Sequence, residues 1–204
     1  MRKARTYDLG YYLLFGLDAR LWRMVLELAR VGPGQSVLDV GCGTGRLTLA
    51  AAGMVGPDGE ACGIDAAPEM IQVAREKAVR AHSRATFEVG LIEDIPFEDG
   101  RFDTVVNTLV MHHLPDEVKS DGSREIWRVL KPGGLFLAVD LQLPSKGAVS
   151  SVARLFLSHH MEGSDIADSL GYLRDAGFTE TESGPTSSSY FAYARGVKAL
   201  PAPA

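Results

Sequence analysis

The apolar positions of the chain fall into two alternating rhythms. Short, nearly unbroken apolar runs stand at Val37–Gly41, Ala61–Asp65, Ala85–Val89, Thr104–Val110 and Leu135–Asp140. Each reads as a buried β-strand. Between them the period becomes helical. Within residues 11–31, Leu21, Val25 and Leu28 share one stripe, with Trp22 and Leu26 beside it, and "GPGQ" at 32–35 stops the helix. Further helices are predicted over Arg46–Met54 and from Pro68 to about His82, with Pro68 in the first turn, where its missing N–H costs little. Asp116–Leu130 is also helical, with Asp121-Gly122 weakening or splitting its middle and "KPGG" closing it.

Strand and helix alternating through short connections predict an α/β fold: a parallel sheet with helices on both faces. Near-continuous apolar strands are what such double cover requires. After Asp140 the rhythm breaks. A helix is expected from about Gly147 to His160 and another over 165–176, ended by Gly177; "FTETESG" and "SSYFAYARG" then read as an antiparallel strand pair joined through Pro185. The expected organisation is one domain over 1–198, with an N-terminal helix at about 12–31, a lid-like insertion at about 144–163 and a disordered tail at 199–204.

Composition narrows the class. Hydrophobic residues are 46% and charged residues 23% of the 204, the profile of a soluble globular protein. A net charge of −5 gives no general attraction to nucleic acid, and Arg2, Lys3 and Arg5 are too few to reverse it. No apolar run is long enough for a membrane span and no signal-peptide pattern is present. Cys42 and Cys62 have neither metal-ligand spacing nor a disulfide framework. A cytoplasmic protein is expected, without metal, nucleic-acid partner or membrane insertion.

The chemistry concentrates in "VLDVGCGTGRLT", residues 37–48, where a strand runs into glycines at 41, 43 and 45. In a doubly wound sheet, ligands sit at the carboxyl ends of the strands, so this loop is the default site. A triphosphate loop would need G-x-x-x-x-G-K-[ST], which is absent. The dinucleotide fingerprint G-x-G-x-x-G has Arg46 where its last glycine should stand. Asp39, two residues before the first glycine, is ill placed beside a pyrophosphate but well placed for a cationic amino group. Asp65, ending the second strand, has the residue type that accepts two ribose hydroxyls at once; capping the helix before Pro68 is its other reading. The combination points to S-adenosylmethionine, a cofactor with an adenosine and a cationic amino acid but no phosphate.

With these residues in view, the sequence resembles the class I S-adenosylmethionine-dependent methyltransferases, in particular the small-molecule group of menaquinone and ubiquinone C-methyltransferases. The matching blocks are "VLDVGCGTGRLT", "GIDAAPEMIQVAREKA", "IPFEDGRFDTVV", "MHHLPDE" and "REIWRVLKPGG", spanning roughly residues 36–140. The resemblance implies a Rossmann-like seven-stranded sheet of order 3-2-1-4-5-7-6, with strand 7 antiparallel. It implies that Asp39, Gly41 and Gly43 line the methionine part of the cofactor and that Asp65 holds the ribose. It places Ala66 and Met70 against adenine or ribose, and gives the backbone carbonyl of Asn107 to the cofactor's ammonium. One block departs from the pattern. Similar proteins read G-D-A where this chain has Gly90-Leu91-Ile92-Glu93-Asp94. Leu91 cannot accept from the adenine amino group, which leaves the Ile92 amide, apolar contact and the reach of Glu93.

Methyl transfer is an in-line displacement at an activated carbon, so alignment of the two reactants is the main task. His112 and His113 follow the fourth strand at its carboxyl end, where an acceptor would approach. They are candidates for a general base, or for orienting the loop. His159 and His160 end the predicted helix after the fifth strand and suit its C-terminal dipole. Small-molecule methyl transfer is the leading reading. A cofactor-binding module without transferase activity is the alternative, and an acidic chain lacking a basic module disfavours nucleic-acid substrates.

Overall fold

The computed structural model describes residues 19–142, 166–188 and 190–201. All five predicted parallel strands form: β1 (Ser36–Val40), β2 (Glu60–Asp65), β3 (Thr86–Val89), β4 (Phe102–Thr108) and β5 (Leu130–Leu141). The closing pair follows as β6 (Phe178–Pro185) and β7 (Phe191–Lys198). The helices are α1 (Ala19–Leu28), α2 (Arg46–Val55), α3 (Pro68–Arg80), α4 (Asp116–Val129) and α5 (Ser169–Asp175), with 3-10 turns at Met111–His113 and Ile166–Asp168. The seven strands make one sheet in the order β3-β2-β1-β4-β5-β7-β6. β1 to β5 pair in parallel, while β7 runs antiparallel to both β5 and β6. This is the Rossmann-like order that the resemblance implies.

Successive residues of a strand point to opposite faces, and the core divides accordingly. Val37, Val106, Leu135, Leu137 and Val139 meet residues of α1 and α2, such as Val25, Leu26 and Ala51. Their neighbours Leu38, Val40, Val105, Phe136 and Ala138 meet Ile126 and Val129 of α4 and Leu173 of α5 on the other face.

Several boundaries differ from the sequence expectation for identifiable reasons. β4 begins at Phe102 and ends at Thr108, because Leu109 turns to a left-handed φ of +62°. β5 begins at Leu130, so "KPGG" belongs to a strand rather than to a helix end. Phe102 pairs with Leu130 and Thr104 with Leu135, and the extra residues bulge out between them. α4 is not split by Gly122. A Cβ there would lie 2.7 Å from Ile92 Cγ1, so glycine permits a close approach between helix and loop. The predicted helix over 165–176 is a 3-10 turn followed by α5. Its predicted stop holds, with Gly177 at φ +99°. The predicted helix at 147–160, the lid-like insertion at 144–163, His159 and His160 lie outside the described residues, as does the N-terminal helix before Ala19.

The C-terminal strand also secures α4. Lys198 Nζ donates to the carbonyls of Trp127 (2.8 Å) and Leu130 (2.7 Å) and sits 3.9 Å from the centre of a Trp127 ring. A cation at those carbonyls satisfies a helix end that has no internal partners. No described helix is long and apolar enough to cross a membrane.

Candidate active site

The site grows from the end of β1. Gly41, Gly43 and Gly45 adopt φ values of +75°, +52° and +79°, the left-handed region that side-chain-bearing residues avoid. A Cβ on Gly41 would overlap Val110 Cγ2, and one on Gly45 would lie 2.7 Å from the Phe87 ring. The third glycine therefore serves the N-terminus of α2, one residue earlier than in the dinucleotide fingerprint. The amides of Gly41 and Cys42 both donate to Ile64 O, at 2.8 and 2.9 Å, which fastens the loop to β2.

Two carboxylates face this loop. Asp39 is 2% exposed and accepts from Thr48 Oγ1 at 2.7 Å. Burial pushes its carboxyl up to about 7; the Thr48 hydroxyl opposes the rise and the charge of Asp65 adds to it. Asp65 Oδ2 accepts from the Gly43 amide (2.8 Å) and Oδ1 from the Ala67 amide (2.9 Å). It therefore ties the β1 loop to the β2 loop. The capping position of α3 is Ala67, not Asp65. Burial, followed by the charges of Asp39 and Asp65, holds the Cys42 thiol far above its ordinary range, so it is no nucleophile.

These groups open onto a cavity of about 280 Å³. From the sequence-predicted residues it gathers Asp39, Gly41, Gly43, Asp65, Met70 and His113. It also takes Cys42, Thr44, Arg46, Leu47, Ala67, Thr108, Leu109 and Val110, and Trp22 from α1, none of which the sequence reading had placed in a site with cofactor contacts. Some carried a usable signal. Thr44 and Arg46 sit inside the glycine motif, and Thr108 to Val110 follow the strand that ends at Asn107. Trp22 carried none, because its place over the cavity depends on how α1 docks.

Five predicted residues are absent from the lining. Ala66 is exposed, and its neighbour Ala67 lines the cavity. The Ile92 side chain is buried against Gly122 of α4. Glu93 is half-buried in the same turn, which closes through Leu91 and Asp94. Asn107 is buried and donates from Nδ2 to Val40 O at 2.9 Å, bracing β4 on β1. The His112 side chain is 5% exposed and points elsewhere: its Nδ1 lies 2.5 Å from Asp140 Oδ1, and its amide donates to Asp140 Oδ2 at 3.0 Å.

The lining suits a cationic, hydroxyl-bearing ligand. Asp39 carries a raised pKa that a nearby cation would relieve. Thr108 Oγ1 is buried at the cavity wall without a hydrogen-bond partner among the described residues. Asp65 keeps acceptor capacity beyond its two amides, since a carboxylate offers about four lone-pair sites. Apolar contact comes from Leu47, Met70, Leu109 and Val110. Among the described residues no group of three His, Cys, Asp or Glu could hold a metal ion.

Comparison with known proteins agrees with this chemistry. A methyltransferase-domain family model matches residues 37–134. A demethylmenaquinone methyltransferase of Symbiobacterium thermophilum is 38% identical over 144 residues, 69% of this chain and 57% of the relative. A ubiquinone/menaquinone biosynthesis C-methyltransferase of Ectopseudomonas mendocina is 36% identical over 152 residues, 73% of this chain and 59% of the relative. The chain thus spans less than two thirds of the length of these curated relatives. Among solved structures, a SAM dependent methyltransferase from Aquifex aeolicus superposes with a TM-score of 0.76 at 23% identity, over 96% of this chain and 97% of that one. A methyltransferase domain thus spans residues 37–134, and the chain resembles the menaquinone and ubiquinone C-methyltransferases.

Proposed function

We propose that the protein transfers a methyl group from S-adenosylmethionine to a small-molecule acceptor by in-line displacement. The observation that carries the reading is Asp39, a buried carboxylate that lines one cavity together with Asp65 and the glycine loop. When bound, the cofactor supplies a methyl group already activated by its sulfonium. Asp39 and Thr108 Oγ1 hold the cationic amino-acid end. Asp65 accepts the ribose hydroxyls while keeping the two loops in register. Ala67 and Met70 lie along the nucleoside, with Ala66, the Ile92 amide and Glu93 at its outer edge. The turn that begins at Asn107 supplies backbone acceptors for the ammonium. His113, at the cavity, stands beside the acceptor. Alignment in such a site accounts for most of the rate.

Both curated relatives are named for methylating the precursors of quinones. A ring-carbon acceptor of that kind is therefore the first class to test. The thiols Cys42 and Cys62 are both free, which supports a reducing, cytoplasmic setting. The deciding experiment supplies methyl-labelled cofactor together with a short-chain demethylnaphthoquinol, and in parallel a metabolite extract. Formation of S-adenosylhomocysteine with label in a small product supports the reading. Tight cofactor binding without turnover supports a binding module instead.

A further inference from the structure

The two adjacent histidines face different surroundings. His113 lines the cofactor cavity. His112 borders a separate small cavity with Met111, Lys119, Ser169 and Tyr172, and its imidazole is held by Asp140 near the end of β5. Asp140 is 3% exposed and uses its whole carboxylate on this turn: Oδ1 accepts from His112 Nδ1 and from the Leu141 amide (2.8 Å), and Oδ2 from the His112 amide. The two imidazole rings lie 3.8 Å apart, centre to centre, tilted by 45°. The 3-10 turn Met111–His113 is thus clamped to β5 through its middle residue, and the next residue projects toward the cavity.

We propose that Asp140 is a positioning residue for methyl transfer, acting through His112 to present the His113 ring to the acceptor end of the cofactor cavity. The proposal rests on the methyl-transfer reading above. Asp140 holds the ring through Nδ1 and the backbone through the amide, so it fixes the orientation of His112. A side chain at a reacting centre works only if its support holds it still, and buried charge-assisted hydrogen bonds give that support. His112 is then a strut. The group that touches ligand is His113.

The test uses the full chain with Asp140→Asn and, in case that variant folds poorly, His112→Asn. Asp140→Asn removes the carboxylate. His112→Asn keeps an N–H donor near the place of Nδ1 and removes the imidazole. The readouts are calorimetric affinity for S-adenosylhomocysteine and the His113 Cε1–H resonance in proton–carbon NMR, with and without that nucleoside. The expected wild type gives one His113 resonance that moves on adding the nucleoside. Asp140→Asn should keep its affinity within about threefold while its His113 signal broadens or doubles and loses most of the ligand-induced displacement. His112→Asn should retain one signal and most of that displacement. With a turnover assay in hand, Asp140→Asn should lower kcat about tenfold or more at nearly unchanged cofactor KM, and His112→Asn should recover most of the rate. His113 spectra of Asp140→Asn that match wild type overturn the proposal. So does a His112→Asn variant that loses turnover while its His113 resonance still matches wild type, since the imidazole would then act directly and not as a strut. A wild type that fails to bind the nucleoside defeats the functional reading instead, and the His113 signals of the free variants still decide the positioning role.

Discussion

The two ends of the cavity are built in contrasting ways. At the cofactor end, shape comes from the backbone: three left-handed glycines, two amides on Ile64 O, and a carboxylate bridging consecutive loops. At the histidine end, shape comes from a side chain 28 residues away, Asp140, gripping a 3-10 turn. The first kind of construction is written in a short stretch of sequence. The second appears only when β4 and β5 lie side by side.

That difference explains what was legible. A glycine motif after a strand admits few backbone paths, so the loop at Gly41 and Gly43, with Asp39 and Asp65 at strand ends, is legible as a site, while the contacts expected of Gly41 and Gly43 come from the resemblance. The sheet order came from the family resemblance, and the strand rhythm agrees with it. His112 and His113 looked alike in sequence, yet they face different cavities. No local pattern distinguishes two neighbouring histidines in a 3-10 turn. Ile92 and Glu93 were placed by alignment to the adenine. That placement uses the Ile92 amide, while its side chain fills the space left by Gly122 beneath α4. Trp22 could be read as a core residue but not as a cavity wall, since the docking of a helix is a tertiary fact.

Four substitutions can break or sharpen the contrast. The largest effect is expected for Gly41→Ala. It imposes a side chain on a φ of +75° and drives it into Val110. Left-handed strain and overpacking each cost on the order of 1–3 kcal/mol. Affinity for S-adenosylhomocysteine, measured by calorimetry, should fall at least about 100-fold. A loss below about threefold would mean that the loop is not set by its backbone.

Asp39 comes next, through its pH dependence. A carboxyl near 7 in the fold and near 3.8 when unfolded stabilises the folded state fully below pH 3.8, and that contribution is lost as pH rises through about 7. Binding of a cation runs the other way, because it needs Asp39 ionised. Nucleoside affinity should therefore weaken about tenfold for each pH unit below 7 and level off above it. In Asp39→Asn both the thermal-stability slope between pH 4 and 7 and the affinity slope should flatten.

Lys198→Met is a control away from both ends of the cavity. It removes a cation from the α4 carbonyls without touching the cavity. Thermal unfolding should report a loss of about 1–2 kcal/mol, with nucleoside affinity unchanged. A parallel drop in affinity would show that the end of α4 and the cavity are mechanically coupled.

The smallest effect is expected for Leu91→Asp. Leu91 is 46% exposed, so the exchange should cost little in folding. If adenine lies along this turn, a new acceptor for its amino group should tighten binding by about 1 kcal/mol, roughly five- to tenfold. An unchanged affinity would put the adenine elsewhere.

Leu109 leaves a conflict inside the cavity wall. Its backbone adopts a φ of +62°, which glycine or asparagine tolerates better, yet its side chain is buried and forms part of the wall. Selection for heat resistance alone would push this position toward glycine or asparagine. Selection for ligand retention would keep a bulky apolar group. Leu109 is thus a point where stability and binding pull a variant library apart, and a consensus-style redesign that followed either pressure alone would choose the wrong residue for the other.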